Sequence, residues 1–308
     1  MQQRCLGNTD LKVSTIGLGG WALGGGPDWG TTNERDVQDT VLAALDAGIN
    51  LIDTAPIYGN SEELLGHTLK GHRSQVVLTT KCGLTKNDSW TDHDLRPATI
   101  ISQLEQSLQK LQTDYIDLYF IHYLDPKVPW QDALDTLALL QKQGKIRHIG
   151  VCNVPADILE VMIGTGLVSC VQDECSLLHA DKSRRVRELC LEHGLGFMAY
   201  GSLCGGILSG KYKREPNLRR ADARRYFYKC YYGGAFAAVQ PAVQKVKELA
   251  LEKQVPSSSV ALAWVLLQSG VSCALAGART RQQVLENMSA ANVLLSKTEQ
   301  EFLYASDH

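Results

Sequence analysis

Short β-rich runs, each followed by a helical pattern, recur from one end of this chain to the other, and that alternation narrows the choice of fold more than any other feature. The runs are Ser14–Gly20, Asn50–Ala55, Gln75–Lys81, Ile116–His122, Ile146–Cys152, Ser169–Cys175, Gly196–Ser202 and Ser272–Ala278. Between them lie helical stretches at Glu34–Ala47, Glu62–Leu69, Pro97–Leu111, Trp130–Gln143, Ala156–Ile163, Lys182–Glu192, Pro241–Lys253 and Ser257–Gln268. Arg281–Ala290 follows the last run. Pro97 suits a first helical position, where a missing N–H leaves no bond unmade. Gly48, Gly144 and Gly194 stand where helices give way to strands. Several runs are almost continuously apolar, as strands covered on both faces of a parallel sheet must be. Eight such units fit a closed (β/α)₈ TIM barrel. A doubly wound open sheet would show the same alternation, because counting units does not establish closure. Ahead of the first run, Arg4–Leu6 and Leu11–Val13 flank Gly7-Asn-Thr-Asp10 and predict a β-hairpin capping the barrel bottom.

At 308 residues the chain is within the range of one barrel domain, and residues 1–308 are read as such. Apolar residues at 44 % and charged residues at 21 % exclude a disordered chain. A net charge of −2 steers the molecule toward neither nucleic acid nor anionic lipid, so partners of those kinds are not expected; the oligomeric state stays open. Met1–Asp10 lacks an uninterrupted apolar core, and no apolar run is long enough to span a bilayer. The expectation is a soluble, cytoplasmic protein. The nine cysteines are scattered, odd in number and contain no C-x-x-C pair, which predicts reduced thiols rather than a disulfide framework. No Cys/His cluster suited to zinc occurs, so no metal is expected.

Two motifs mislead. Gly17-Leu-Gly19-Gly-Trp-Ala22 matches the dinucleotide fingerprint, but that motif works only when its last positions open a helix facing the pyrophosphate. Leu23-Gly-Gly-Gly-Pro27 follows and opposes such a helix. Tyr123-x-x-x-Lys127 imitates a Tyr/Lys catalytic pair that needs one helical turn, and Asp125-Pro126 inside the window opposes it.

In a (β/α)₈ barrel, reactive side chains gather at the C-terminal ends of the strands. Those ends carry Asp53, with Tyr58 five residues on, then Lys81 and His122. Each alone has a plain explanation in packing or capping; on three successive strands they make a proton-transfer set. A phenol near pKa ~10 exchanges its proton poorly at neutral pH, and a nearby ammonium favours phenolate. Lys81 would supply that charge, Asp53 would pair with Lys81, and His122 would orient a substrate oxygen.

At this point the sequence resembles the aldo-keto reductase family, nearly end to end. The resemblance is carried by Leu6-Gly-Asn-Thr-Asp-Leu-Lys-Val-Ser14, Gly17-Leu-Gly-Gly-Trp-Ala22, Asn50-Leu-Ile-Asp53-Thr-Ala-Pro-Ile-Tyr58-Gly59 with Ser61-Glu62, and Thr80-Lys81. It continues in Asp114-Tyr-Ile-Asp-Leu-Tyr-Phe-Ile-His122, Gly144-Lys-Ile-Arg-His-Ile-Gly-Val-Cys-Asn153, Gly205-Gly-Ile-Leu-Ser-Gly-Lys211 and Gly277-Ala-Arg-Thr280 with Glu286-Asn287. It implies a barrel enzyme that interconverts carbonyl and alcohol with a nicotinamide cofactor lying across the barrel mouth. Tyr58 would be the general acid, tuned by Lys81 and Asp53, with His122 orienting the carbonyl. Cofactor contacts would come from Gly20, Trp21, Asp53, Cys152, Asn153 and Gln172 around the nicotinamide. Tyr200, Gly201, Ser202, Leu203, Cys204, Gly206 and Leu208 would follow along the pyrophosphate, and Gly277, Arg279, Gln283, Glu286 and Asn287 at the adenosine end. A guanidinium suits a 2′-phosphate, so Arg279 favours NADP(H) over NAD(H).

Three departures from the family pattern stand out: Cys152 replaces a Ser, Cys175 stands where a nicotinamide-stacking Tyr is expected, and Gly201-Ser-Leu-Cys204 replaces Ser-Pro-Leu-Gly. Losing an aromatic stack removes about 0.5–1.5 kcal/mol beyond burial. Trp21, Trp90 and Tyr123, with Tyr58 and His122, are expected to wall the pocket of a small carbonyl or alcohol substrate. The long stretch 212–240, rich in Arg and Tyr, reads either as a solvated basic loop or as a flap near an anionic ligand. A cofactor-sensing binding subunit and a Schiff-base lyase using Lys81 are the alternative functions.

Overall fold

A computed structural model describes residues 2–86 and 91–304. The chain opens with an antiparallel hairpin of β1 (Gln3–Cys5) and β2 (Lys12–Ser14). The barrel strands follow as β3 (Ile16–Gly19), β4 (Leu51–Asp53) and β5 (Val77–Cys82). A second hairpin, β6 (Leu84–Lys86) with β7 (Thr91–His93), precedes β8 (Ile116–Ile121), β9 (Ile146–Cys152), β10 (Val168–Glu174), β11 (Gly196–Tyr200) and β12 (Cys273–Gly277). The barrel strands pair in parallel in chain order, and β12 closes onto β3 through Ala274↔Ile16 to Gly277↔Gly19. Closure excludes the doubly wound alternative. The helices are α1 (Gly26–Trp29), α2 (Glu34–Asp46), α3 (Ser61–Leu69), α4 (Pro97–Leu111), α5 (Trp130–Lys142), α6 (Ala156–Ile163), α7 (Arg184–His193), α8 (Arg224–Phe227), α9 (Gly234–Lys253), α10 (Ser257–Leu266), α11 (Arg281–Ser289) and α12 (Lys297–Tyr304). Among the described residues, no helix is long and apolar enough to cross a membrane.

β9, α4 and α6 coincide with the expected ranges. Other boundaries move. The helix expected from Pro241 begins at Gly234, because Ala235–Gln240 continues the helical pattern, buries Phe236 and carries the proline in the interior. Pro27, expected to block any helix, sits in the first turn of the single-turn α1, where a missing N–H is tolerated. The stretch from 212 is not structureless: it holds α8 and a 3₁₀ turn at Lys229–Tyr231 before α9 starts.

The N-terminal hairpin seals the barrel floor. Leu6, Leu11 and Val13 are buried against Leu51, Val77, Leu118, Cys170, Met198 and Cys273 inside the lumen, and each such burial contributes about 1.5–3 kcal/mol. The fit is tight at Gly7, whose φ of +60° suits glycine and where a Cβ would lie 2.3 Å from Gly196 N. Asp10 at the hairpin tip reaches Arg147 and, at 2.7 Å, His148. Asp117, 2 % exposed, accepts from Arg73 at 2.8 Å, Arg147 at 2.7 Å and Leu78 N–H at 2.9 Å.

Candidate active site

At the opposite end of the barrel the strand termini bring Asp53, Tyr58, Lys81 and His122 together, as the sequence predicts. Asp53 ends β4 and Lys81 lies in β5, both pointing into the lumen; His122 follows β8, and Tyr58 lies in the turn between β4 and α3. Lys81 Nζ donates to Asp53 Oδ2 at 2.7 Å, Asp53 Oδ1 at 2.9 Å and Thr54 O at 2.9 Å. The same carboxylate accepts from Thr79 Oγ1 at 2.7 Å and Gln172 Nε2 at 2.8 Å. The ammonium stands 4.9 Å from the Tyr58 ring centroid, and the His122 ring meets that ring edge-on at 5.8 Å. The Tyr58 turn is held against Gly24, where a Cβ would sit 1.6 Å from Tyr58 O.

The electrostatics correct one expectation. Burial pushes the Tyr58 phenol above its ordinary value; Lys81 pulls it down as anticipated, but by less, and Asp53 opposes the pull. The phenol therefore keeps its proton at neutral pH. Burial, the largest single influence, lowers Lys81, yet Asp53, Tyr58 and Cys152 together outweigh it and hold the ammonium above its usual range. Burial, then Lys81, then His93 keep His122 well below the usual imidazole value, so its ring is neutral.

Aromatic rings surround this set. Trp21 stacks on Tyr58 at 5.9 Å and its Nε1 donates to Asp28 Oδ2, while Tyr123 stacks on His122 at 5.4 Å. Trp90 lies outside the described residues. Two rings that sequence reasoning missed reach the same rim. His93 stacks on Tyr123 at 5.8 Å, and Phe227 meets Trp21 edge-on at 4.8 Å. The α8 segment bearing Phe227 is fastened across the mouth by Ala223 N donating to Asp28 O and by Arg224 over the Trp29 ring at 5.3 Å. The stretch is thus a folded flap, and Arg224 is already paired with Asp222.

Asn153, in the left-handed region at φ 56°, donates to His122 O and accepts from Tyr200 Oη at 2.7 Å. Cys152 is buried in the lumen cluster, against which the Tyr200 ring packs from the mouth side. Cys175 is not at the mouth. The pleat turns Gln172 inward and Cys175 outward, into the core between barrel and helices with Leu177 and Leu189. The expected loss of a stacking ring at Cys175 therefore does not arise, and Tyr200 offers an aromatic face at the mouth.

Gly20 N–H donates to Asp53 O at 2.7 Å, joining β3 to β4 at the rim. In the loop after β11, Ser202, Cys204 and Leu208 are buried; Ser202 Oγ donates to Ala199 O, and Cys204 and Leu208 belong to the outer core. Their side chains cannot line a ligand, which leaves the backbone of this loop, with Gly201 and Gly206 and half-buried Leu203, to face outward. Gly206 has φ 101°, and Lys211 Nζ lies 3.5 Å from where its Cβ would be. At the β12 end, Gly277 is exposed and Asn287 Nδ2 donates to Gly277 O at 3.3 Å. Gln283 Oε1 accepts from Arg279 N, and Glu286 Oε1 from Gln282. The Arg279 guanidinium donates to Trp29 O at 3.1 Å and Thr31 O at 2.8 Å.

With this geometry described, comparison with known proteins is informative. The aldo/keto reductase family model matches residues 15–305. Aldo-keto reductase YhdN of Bacillus subtilis is 37 % identical over 290 residues, 92 % of this chain and 87 % of that protein. An NADH-specific methylglyoxal reductase of Escherichia coli is 35 % identical over 313 residues, 96 % of this chain and 95 % of its own. Among solved structures, a glycerol dehydrogenase from Gluconobacter oxydans superposes with a TM-score of 0.88 at 31 % identity, covering 98 % of this chain and 93 % of that one. A closed (β/α)₈ barrel with these segments in this order belongs to the aldo/keto reductase family.

Proposed function

We propose that this chain, acting as one domain, is a nicotinamide-dependent oxidoreductase that reduces a small aldehyde or ketone to the alcohol, with Tyr58 as general acid. The observation that carries the reading is the buried Lys81–Asp53 pair, with its ammonium 4.9 Å from the Tyr58 ring and a neutral His122 across from it. The residues present fit the cofactor. Gly206 offers bare backbone in the left-handed region with Lys211 beside it, an amide and a cation suited to a pyrophosphate, and the Tyr200 ring stands ready for a flat heterocycle.

When bound, the cofactor supplies the hydride. The chain's own groups handle the oxygen. His122, neutral, donates one N–H to the carbonyl and fixes its direction, and Tyr58 Oη gives its proton as negative charge develops there. Lys81 stabilises the phenolate left behind, while Asp53, Thr79 and Gln172 keep Lys81 in place. Trp21 and Tyr123 wall the rim beside Tyr58 and His122, with Phe227 packed edge-on against Trp21. A reduced, cytoplasmic setting suits a chain whose nine cysteines are all free thiols.

Our reading of the cofactor is NADP(H). Arg279 is exposed just ahead of α11, and two of the five guanidinium donors are engaged, which leaves three for a phosphate. NADH is the second reading, favoured by the NADH-specific Escherichia coli relative. Titration with NADPH and NADH, then turnover on aldehydes, ketones and aldoses, tests both. Tyr58→Phe should lower turnover by about 10²–10⁴-fold with cofactor affinity kept; unchanged turnover overturns the assignment. Tighter NADH binding that Arg279→Gln leaves unaltered decides for the second reading.

A further inference from the structure

Behind Lys81, on the outer side of the barrel wall, lies a group of buried polar side chains that the proposed chemistry does not use. Glu62, near the start of α3, is 2 % exposed, and its Oε1 accepts from Thr80 Oγ1 at 2.7 Å. Its Oε2 is buried facing Ser107 on α4, and Tyr119 Oη on β8 is buried facing the Cys82 thiol. Thr80 and Tyr119 are register partners on adjacent strands. Helix formation does not call for this carboxyl to be dry. Exposed Glu63 supplies the same negative charge to the first turn of α3 without desolvation.

The placement of Glu62 is what distinguishes it. Tyr58 rides on a short loop that closes on itself: Thr54 Oγ1 donates to Ser61 Oγ at 2.9 Å, and Ser61 N donates to Tyr58 O at 3.1 Å. That loop meets the strand of Lys81 at three points. Two are at its start, where Thr54 N donates to Thr79 O and Thr54 O accepts from Lys81 itself; the third, beyond Tyr58, is Glu62, hydrogen-bonded to the residue that precedes Lys81. Burial pushes the Glu62 carboxyl above its ordinary range, and a neutral acid still accepts from Thr80 through Oε1.

We propose that Glu62 is a positioning residue: through Thr80 it ties the Tyr58 loop to β5 and so sets the phenol against the Lys81 ammonium. The inference rests on the reading that Tyr58 and Lys81 carry the chemistry. The test uses Thr80→Val, Glu62→Leu, their double variant and Glu62→Gln in the full chain. kcat, the carbonyl KM, the cofactor Kd by fluorescence quenching and the thermal midpoint are measured for each.

Thr80→Val and Glu62→Leu should each lower kcat about tenfold, as expected when a reacting group shifts by a fraction of an ångström. KM and cofactor Kd stay unchanged, the double variant falls no lower than the worse single, and Glu62→Gln recovers most of the rate. Unchanged kcat in folded Thr80→Val overturns the proposal. So does a loss that appears equally in cofactor affinity, or additive losses in the double variant. Should Glu62→Leu fail to fold, Thr80→Val and Glu62→Gln still decide. Tyr58→Phe in the same assay separates the two levels: full turnover there sinks the catalytic reading, whereas its loss alongside a normal Thr80→Val sinks only the positioning role.

Discussion

Two buried aspartates at opposite ends of the barrel are treated very differently. At the floor, Asp117 is enclosed by two guanidinium groups and a backbone N–H, so its charge is fully answered. At the other end, Asp173 near the C-terminal end of β10 is also buried, turned outward by the same pleat as Cys175; it accepts from the N–H of Glu174, and burial pushes its carboxyl up to about 6. The floor answers its buried charge in full; the wall at the other end of the barrel holds a carboxyl that burial penalises.

Substitutions can break this contrast. Asp117→Asn should have the largest effect, a loss of about 3 kcal/mol by chemical denaturation, because two guanidinium groups lose their counter-charge. Turnover should be kept. A variant that loses turnover while retaining its stability would erase the distinction between the two ends.

Asp173→Asn should act in the opposite direction. A carboxyl whose native pKa is raised favours the folded state while protonated, and that contribution is lost as pH rises through about 6. At pH 8 the substitution should therefore stabilise by about 1–3 kcal/mol, and near pH 4 the gain should shrink. Equal shifts at both pH values would show that the charge is not what matters.

Asp10→Asn sharpens the contrast from the weak side. Its carboxyl is held below the ordinary value by the His148 hydrogen bond, against burial, with help from Arg147. The stabilisation is present at neutral pH and disappears as pH falls through that depressed value. Being an exposed contact, it should cost under ~1 kcal/mol and fade in high salt. A loss rivalling that of Asp117→Asn would mean the hairpin tip matters more than its burial suggests.

The same contrast marks what the sequence made readable. The barrel strands and most of the helix ring follow from apolar runs and glycine stops, because parallel strands covered on both sides leave a continuous signal. The hairpin β6–β7 was missed because three-residue strands carry no periodicity, and His93 was missed with it. Gly234–Gln240 was missed as helix because Pro241 reads as a start rather than an interior residue. The four residues of the proposed catalytic set were legible from three strand ends and from Tyr58 five residues past Asp53. The placement of Cys175 was not, since a one-residue difference along a strand turns a side chain from lumen to outer core, and motif matching does not register the pleat. Phe227 was hidden because its approach to Trp21 depends on how the flap folds, not on anything local.

The hairpin that closes the floor also sorts the thiols. Eight of the nine cysteines are buried and one, Cys5 on β1, is exposed. A maleimide or a thiol-reactive surface would therefore find a single address, on the face of the molecule turned away from Tyr58. Tethered there, every copy would point its mouth to the solution, so the chain carries a built-in handle for oriented immobilisation or for a fluorophore remote from the site.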